Sequence, residues 1–333
     1  MKKPKKGTVY LNIFHQNIRG LGKKAGELLT HLHLDFPQVM CLTEHHVKCL
    51  QLEKFHIENY NLGAHYCRQQ CEKGGVAIFV YNSLGFTNID IAQHCKDQDI
   101  ETCALKLSFG TRNICILALY RAPSGKFRTF LLQLDTVLQS LYTPRLHFII
   151  CGDIDINYLN ESGNKNQLDN LLLSYNLTSI INFLTRIQNT SAAAIDNIFV
   201  DVSQFEGYTI TSVMNGVSDH DAQLLTISTD YSYIPTHRSK TVRKFCKYTV
   251  SDFIDKLSCE SWDSIFNSED VNAVFNSFLN IYLRIFYSSF TLKKVTNRNN
   301  IDNNWITVGI KTSCRHKREL YLISRNNNVQ KLK

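Results

Sequence analysis

The chain has 333 residues, of which 44% are hydrophobic, so it can bury a large core in one big domain or in two smaller ones. No apolar run approaches the roughly 20 residues that a bilayer-spanning helix needs, and the segment after the first lysines is too short and too polar for a signal peptide. The formal net charge of +8 is uneven: residues 1–230 carry 20 Lys and Arg against 21 Asp and Glu, whereas residues 231–333 carry 17 against 8. This distribution favours a soluble protein whose last third is either a contact surface for a polyanion or a solvated tail.

The 11 cysteines are scattered and include no C-x-x-C pair, which argues against a zinc knuckle or a thioredoxin-like motif. Free thiols in strands pack as small hydrophobes. Because thiols stay reduced in the nucleus and the cytosol, we expect a nuclear or cytoplasmic protein. Residues 1–6 fit either a nuclear import signal or a solvated arm. Cys41, His45, His46 and Cys49 are metal-ligating residue types, but a strand position for Cys41 argues against zinc. Four cysteines lie in predicted strands: Cys41, Cys103, Cys115 and Cys151.

Short apolar runs rich in Val, Ile and Leu alternate with polar turns over residues 8–228. Some predicted strands follow each other at hairpin spacing and others are separated by helical patterns, which favours an α/β fold with paired sheets covered by helices. Strands are predicted at 9–16, 38–43, 75–81, 102–108, 114–120, 146–150, 195–200 and 222–228. Helices are predicted at 25–34, 127–141 and 166–175.

The composition changes after residue 228, which predicts three parts: a domain over 1–228, a basic linker over 229–249 and a helical, basic tail over 250–333. Within the tail, helical patterns lie near 250–257 and 269–288. An Asn-rich stretch at 296–304 precedes a last basic helical pattern.

Polar side chains follow several predicted strands where each strand ends. An acid in that position is usually a turn or cap residue, so any one of these residues alone would be weak evidence. Their order along the chain is more specific. The residues are Asn17 in "FHQNIRG", Glu44 in "MCLTEHH", Tyr120 in "LALYRAPSG", Asp153, Asp155 and Asn157 in "ICGDIDIN", Asp196 in "AAAIDNIF", and Asp219 and His220 in "GVSDHDA".

This ordered set, which covers residues 9–228, resembles the endonuclease/exonuclease/phosphatase family, which includes apurinic-type endonucleases. The resemblance implies a four-layer α-β-β-α sandwich of two mixed sheets flanked by helices, here with a mainly helical C-terminal extension. The local sequences "QNIRGL", "LTEHH" and "YRAPSG" are most similar to endonuclease domains of LINE-type (non-LTR) retrotransposons. The stretch "WITVGIKTSCRHKRELYL" resembles the linker before the reverse transcriptase of such elements.

The resemblance implies a metal site. Glu44 is the principal ligand, Asn17 assists in placing metal or phosphate, and Asp219 is a ligand or supporting acid. Hard oxygen ligands of this kind suit Mg²⁺, with Mn²⁺ as the alternative.

The resemblance also assigns catalytic roles. Asp153 orients and activates the attacking water, and Tyr120 and His220 contact the scissile phosphate. Asp196 accepts from the second ring nitrogen of His220 and so fixes its tautomer. Phosphodiester hydrolysis needs these functions together with charge stabilisation.

One position departs from the family pattern. The family usually has Asn two residues after the catalytic Asp, where this chain has Asp155. A carboxylate cannot donate to a phosphate oxygen unless it is protonated. Three explanations remain open: a cation offsets its charge, Asp155 is protonated, or Asn157 substitutes for it. Asn157 and Arg121 are assigned to substrate binding with Asn17.

The expected function is Mg²⁺-dependent nicking of double-stranded DNA by the endonuclease part of a retrotransposon. Its partners would include a reverse transcriptase or an RNA-binding protein of the same element. The alternatives are an inactive remnant that binds DNA or protein, and a phosphatase or lipid phosphodiesterase of the same fold.

The segment "DIDIN" also matches the start of an EF-hand calcium loop. An EF-hand is excluded because Tyr158 and Asn164 occupy the positions of its invariant Gly and Glu.

Overall fold

The structure, a computed structural model, divides into two compact units, residues 1–233 with 303–333, and residues 234–302. No helix among the described residues combines the length and the apolar character that a membrane-spanning segment requires. The residues described are 7–31, 37–69, 73–109, 112–143, 146–188, 191–205, 207–231, 239–266, 270–296 and 307–332.

In chain order, the strands are β1 (Gly7–Asn17), β2 (Val39–Thr43), β3 (Tyr60–Tyr66), β4 (Val76–Tyr81), β5 (Phe86–Ile89), β6 (Glu101–Phe109), β7 (Arg112–Tyr120), β8 (Leu146–Asp153), β9 (Thr178–Ser179), β10 (Arg186–Gln188), β11 (Ser191–Ala193), β12 (Asp196–Val200), β13 (Gly207–Val213), β14 (Ala222–Tyr231), β15 (Ser239–Arg243) and β16 (Leu292–Thr296). The helices are α1 (Ala25–His31), α2 (Cys49–Leu52), α3 (Phe127–Leu141), α4 (Gly163–Leu173), α5 (Lys247–Cys259), α6 (Asp263–Phe266), α7 (Val271–Ser289) and α8 (Val308–Leu332).

The first unit contains two six-stranded mixed sheets. The first sheet has the order β13-β14-β1-β2-β4-β3, and the second has the order β5-β6-β7-β8-β12-β9. Each sheet contains one parallel pair of neighbours, β1 with β2 and β7 with β8. Parallel neighbours end at the same edge of a sheet, and the polar side chains predicted at strand ends lie at these edges.

The two sheets pack face to face, and helices cover their outer faces. Ile13 on β1 belongs to the buried cluster between the sheets, whereas its neighbour Phe14 belongs to the cluster under α1 and α2. Successive side chains of a strand point to opposite faces, so β1 contributes to both layers of core. Phe130 of α3 and Leu168 of α4 are buried against the second sheet. The predicted four-layer α-β-β-α sandwich is confirmed.

The eight predicted strands lie within a few residues of observed ones. Eight further strands without a dense apolar run were not predicted, namely β3, β5, β9, β10, β11, β13, β15 and β16. The predicted helix 25–34 is observed as α1, and its residues 32–34 lie outside the described residues, as do residues 1–6 and 297–304. The predicted linker 229–249 contains the end of β14, strand β15 and the start of α5, and its residues 232–238 are not described. The predicted tail 250–333 is divided between the two units, because α8 belongs to the unit with the two large sheets.

The second unit contains the antiparallel pair β15–β16 and helices α5, α6 and α7. Aromatic rings join its elements: the ring of Phe253 lies 5.6 Å from that of Tyr282, and Trp262 stacks on Phe278 at 5.8 Å. Ring contacts thus involve most aromatic residues of α7, although Phe275, Phe278 and Tyr287 remain exposed to solvent.

A buried histidine fixes the loop that follows β2. The Nδ1 atom of His45 accepts the backbone N–H of Val47 at 3.0 Å, and its Nε2 atom lies 3.0 Å from the Tyr66 carbonyl, to which it donates. These two bonds require the neutral ring. Burial lowers the pKa of His45 to about 4, against only partial opposition from the Tyr66 carbonyl. Gly75 packs so closely that an added Cβ would lie 2.3 Å from the ring.

Protonation of His45 should destabilise the fold. Because the folded pKa of about 4 lies below the ordinary 6.5, the unfolded chain binds more protons between these values, and stability falls as pH falls. The difference corresponds to about 3 kcal/mol. Urea unfolding from pH 7 to pH 4 should therefore show a smaller loss in His45→Gln than in wild type. The exposed-site control His56→Gln should follow wild type, and equal slopes in all three proteins would contradict this assignment.

Candidate active site

The ends of five strands bring polar side chains from both sheets to one edge. Asn17 is the last residue of β1, and Glu44 follows β2. In the second sheet, Tyr120 and Asp153 are register partners at the ends of β7 and β8, and Asp196 pairs with Asp153 from β12. The sheet topology therefore collects residues that are up to 179 positions apart in the chain.

Glu44 is a carboxylate surrounded by donors. Its Oε1 atom accepts from Asn17 Nδ2 at 2.8 Å and from the Tyr120 hydroxyl at 3.0 Å, and its Oε2 atom lies 3.1 Å from His46 Nε2. Burial raises the pKa of Glu44, but these hydrogen bonds and the charge of Arg19 outweigh burial and lower the pKa to about 2. Glu44 is thus an anion throughout the physiological pH range.

The side chain of Asn17 links the two sheets. Its Nδ2 donates to Glu44 Oε1 at 2.8 Å and to Asp153 Oδ2 at 2.7 Å, so one amide satisfies a carboxylate of each sheet. Asn17 itself is fully buried. An aspartate here would add a third negative charge instead of two donor bonds.

Asp153, Asp196 and His220 form a buried triad. His220 Nδ1 donates to Asp196 Oδ2 at 2.8 Å and lies 3.9 Å from Asp153 Oδ2. Burial opposes protonation of His220, but the charges of Asp196 and Asp153 prevail and raise its pKa to about 9. Burial, followed by repulsion from Asp196, raises the pKa of Asp153 to about 7. The site therefore holds an imidazolium next to a carboxyl group that can exchange a proton near neutral pH.

Tyr120 is a donor at the same edge. Burial and the charge of Glu44 raise the pKa of its hydroxyl far above the ordinary value, so it remains protonated. Arg68 lies over its ring at 5.7 Å. Tyr120 can therefore donate a hydrogen bond and does not act as a base.

Asp219, a predicted metal-site acid, is engaged by two arginines. Its Oδ2 atom accepts from Arg19 Nη1 at 2.7 Å and from Arg186 Nε at 3.1 Å. Although burial raises the pKa of Asp219, the charges of His220 and Arg19 lower it overall. The structure thus gives Asp219 a supporting part: it holds two cationic side chains at the rim of the site.

Arg121 and Asn157, for which substrate binding was predicted, make hydrogen bonds to the loop after β8 and its surroundings. The buried guanidinium of Arg121 donates to the carbonyls of Ile154, Gly125 and Asp155 at 2.9–3.0 Å. The Asn157 Oδ1 atom accepts the backbone N–H of Leu159 in the same loop and that of Ala194 next to β11. Both side chains therefore hold the loop in place.

Asp155 sits on this loop in the left-handed region, with φ of +51°, which Asp and Asn tolerate better than most residues. Its Oδ2 atom lies 3.6 Å from Arg121 Nη2. Burial raises the pKa of Asp155, and the charges of Arg121 and Arg186 partly offset that effect. A nearby protein cation therefore compensates part of the charge that departs from the family pattern.

Sequence reasoning missed the contact between α8 and this edge. Asp221, which follows His220, is 1% exposed and accepts from Tyr321 at 2.9 Å and from Arg325 Nη2 at 2.6 Å. Gly216 leaves room for the Tyr321 side chain, since an added Cβ would lie 3.1 Å from it. Helix α8 thus braces the segment that carries His220. Pairs about 100 residues apart leave no local signal in the sequence, whereas Arg19 could have been noticed within "NIRG".

The donor set at this edge fits a hard divalent cation. Glu44 is ionised and its side chain is 14% exposed. Its Oε1 atom accepts from the Asn17 amide and the Tyr120 hydroxyl, and its Oε2 atom lies beside His46 Nε2. Mg²⁺ usually needs only one or two carboxylates and keeps several waters. Glu44 would hold the cation together with Asn17 Oδ1, which also accepts the Arg19 backbone N–H at 3.1 Å, whereas Asp219 already pairs with two arginines.

Solved structures with this architecture share very little sequence with the chain. The endonuclease domain of TRAS1, a telomere-specific non-LTR retrotransposon, is 14% identical, covers 65% of this chain and 98% of its own, and has a TM-score of 0.53. AP endonuclease LMAP from Leishmania major is 14% identical, covers 66% and 88%, and scores 0.52. D. rerio TDP2 complexed with a single-strand DNA product is 16% identical, covers 66% and 99%, and scores 0.50. No family model and no curated protein matches the sequence.

The first unit therefore has the endonuclease/exonuclease/phosphatase fold. The fold that the ordered strand-end motifs implied is therefore confirmed.

The contact between α8 and Asp221 should be important for stability. Removing Arg325 leaves a buried carboxylate without its cation, so Arg325→Ala should lower the free energy of unfolding by about 3 kcal/mol. Lys317 on the same helix pairs with Glu27 but is half exposed, and Lys317→Ala should cost less than about 1 kcal/mol. Urea unfolding of the two variants measures the difference. Equal losses would show that Asp221 does not depend on α8.

Proposed function

We propose that this chain is a divalent-metal-dependent endonuclease that hydrolyses phosphodiester bonds of DNA, as the nuclease part of a non-LTR retrotransposon. One observation carries the proposal: Asn17 joins Glu44 of one sheet to Asp153 of the other, within reach of the charged pair His220–Asp196. One sheet edge thus holds an ionised carboxylate, a carboxyl group with a pKa near 7 and an imidazolium. Phosphodiester hydrolysis can use such groups for proton transfer and for charge stabilisation.

Asp153 is the candidate general base. Its pKa of about 7 matches neutral operation, since a base works best when its pKa lies near the working pH. The Asn17 amide fixes its Oδ2 atom at 2.7 Å, and repulsion from Asp196 keeps the proton affinity high. Asp153 would take a proton from the water that attacks phosphorus.

His220 and Tyr120 are the candidate partners of the phosphoryl oxygens. His220 is cationic because Asp196 holds its Nδ1 proton, and this leaves Nε2 to face the substrate. Tyr120 offers a neutral hydroxyl. Donors fixed before the reaction stabilise charge that develops in the transition state. A bound cation at Glu44 would supply further charge neutralisation on the phosphate.

DNA as substrate is supported by charge and by comparison. Residues 231–333 carry 17 Lys and Arg against 8 acids, and phosphate contacts of such side chains dominate affinity for nucleic acid. Among the structural neighbours are a retrotransposon endonuclease domain and a protein complexed with DNA. The motifs "QNIRGL" and "LTEHH" add support for the retrotransposon origin.

Nicking of supercoiled plasmid tests this function. Wild type should nick in Mg²⁺ and not in EDTA, and Glu44→Ala and His220→Ala should each lower the rate by on the order of 10²–10⁴-fold. His147→Ala is the matched control, because His147 lies at the opposite end of β8 from Asp153.

DNA binding without any nicking would instead support the inactive remnant, for which Asp155 is the favouring observation. Turnover of a soluble phosphomonoester or a phosphoinositide in place of DNA would support the phosphatase or lipid phosphodiesterase. Either result would contradict the proposal.

Replacing Asp155 with asparagine should increase activity. The substitution removes a negative charge beside the expected phosphate position and keeps a side chain that tolerates the left-handed backbone. Repulsion between unit charges about 4 Å apart lies between about 1 and 4 kcal/mol, depending on the dielectric, so the nicking rate should rise by roughly tenfold. Steady-state rates of wild type and Asp155→Asn at equal Mg²⁺ measure the gain. An unchanged rate would mean that Arg121 already neutralises this carboxylate, and a lower rate would mean that the carboxylate itself contributes to activity.

A further inference from the structure

Two groups of three metal-ligating side chains occur among the described residues, and one of them lies outside the candidate active site. It consists of Cys49, His65 and Cys67, whose ligand atoms all lie within 4.8 Å of one another. Cys49 begins α2, His65 is on the edge strand β3, and Cys67 directly follows that strand. Residues two apart on a strand share one face, which explains why His65 and Cys67 point to the same place.

The distances suit a single small cation. Cys49 Sγ lies 3.3 Å from His65 Nε2. Zinc bonds of about 2.3 Å to sulfur and about 2.0 Å to nitrogen place tetrahedral ligand atoms roughly 3.6 Å apart, so only a small adjustment is needed. Cys49 is exposed and the other two residues are half-buried, which gives a metal ion access from solvent.

A fourth ligand is within reach. Glu53 lies one helical turn after Cys49, and its Oε1 atom is 3.6 Å from the Cys49 sulfur. His45 is a weaker choice: its Nε2 atom is 3.9 Å from Cys67 Sγ but already donates to the Tyr66 carbonyl. The fourth position is therefore open to Glu53 or to water.

We propose that Cys49, His65 and Cys67 bind a zinc ion at a second metal site, distinct from the hard-oxygen site at Glu44. Two sulfur ligands and an imidazole select zinc over Mg²⁺, which prefers oxygen. On binding, the two thiols release their protons to solvent and ligate as thiolates. The sequence analysis argued against zinc at Cys41, His45, His46 and Cys49. Of that grouping only Cys49 belongs to the proposed site, and Cys41 is fully buried on β2.

The zinc ion would act on the loop that supplies Glu44. That loop runs from the end of β2 to Cys49, so a metal that ties Cys49 to the end of β3 closes it at its far end. Glu44 and His46 both have positive φ values, +51° and +55°, and this conformation needs support from its surroundings. The zinc ion would therefore stabilise the conformation of the loop that carries Glu44, the expected ligand of the active-site cation.

Cobalt substitution tests the site without relying on activity. The reduced, metal-free chain is titrated with Co²⁺, and absorption is followed through the sulfur-to-metal charge-transfer and visible d–d bands. In wild type, one equivalent of the bound Co²⁺ should give tetrahedral bands that Zn²⁺ abolishes. Cys49→Ser and Cys67→Ser should each lose charge-transfer intensity, and His65→Gln should weaken binding.

Two controls separate this site from its surroundings. Cys259→Ser removes an exposed cysteine of α5 and should leave the cobalt spectrum unchanged. Glu44→Ala should also leave it unchanged, which would show that the sulfur site is independent of the active site. Circular dichroism confirms folding, and Cys49→Ser is mild because that side chain is exposed. Absence of a charge-transfer band in folded wild type, or its persistence in both serine variants, would overturn the proposal.

Discussion

Carboxylates from two sheets converge at one edge of this fold, and the site depends on the donors that keep them together. Two like charges about 4 Å apart repel by roughly 4 kcal/mol at an effective dielectric near 20. The Asn17 amide offsets part of this repulsion because it donates to both Glu44 and Asp153. His220 does the same for Asp153 and Asp196 through its positive charge. A divalent cation would neutralise the negative charge that remains.

The same surroundings push the two main carboxyl groups in opposite directions. Glu44 has three donors and a pKa of about 2, whereas Asp153 is buried beside Asp196 and has a pKa of about 7. Acids whose environments separate their pKa values in this way take different roles. Glu44 suits a permanent ligand for a cation, and Asp153 suits proton transfer. Environment, and not residue type, therefore divides the roles between them.

Sequence reasoning could find the strand-end acids because a dense apolar run followed by a polar residue is a local pattern. Glu44 and Asp153 were predicted on this basis together with the family resemblance, and the fold brings them to one edge. Arg121 donates to three backbone carbonyls, and the loop conformation sets the positions of these carbonyls. The sequence does not contain that conformation, and the prediction for Arg121 was substrate binding. The pair Asp221–Arg325 spans 104 residues, and no local periodicity predicts such a contact. Backbone conformation and long-range pairing are the parts that the sequence pattern did not contain.

The proposed mechanism requires that these strand ends activate water for attack on phosphorus. Cleavage of a defined DNA duplex in ¹⁸O-labelled water, followed by mass spectrometry of the new ends, reports the origin of the oxygen. We expect one ¹⁸O atom in the product phosphate and none in the product hydroxyl, with incorporation lost in Asp153→Ala. Label in the hydroxyl, unlabelled phosphate, or equal product from Asp153→Ala would contradict it.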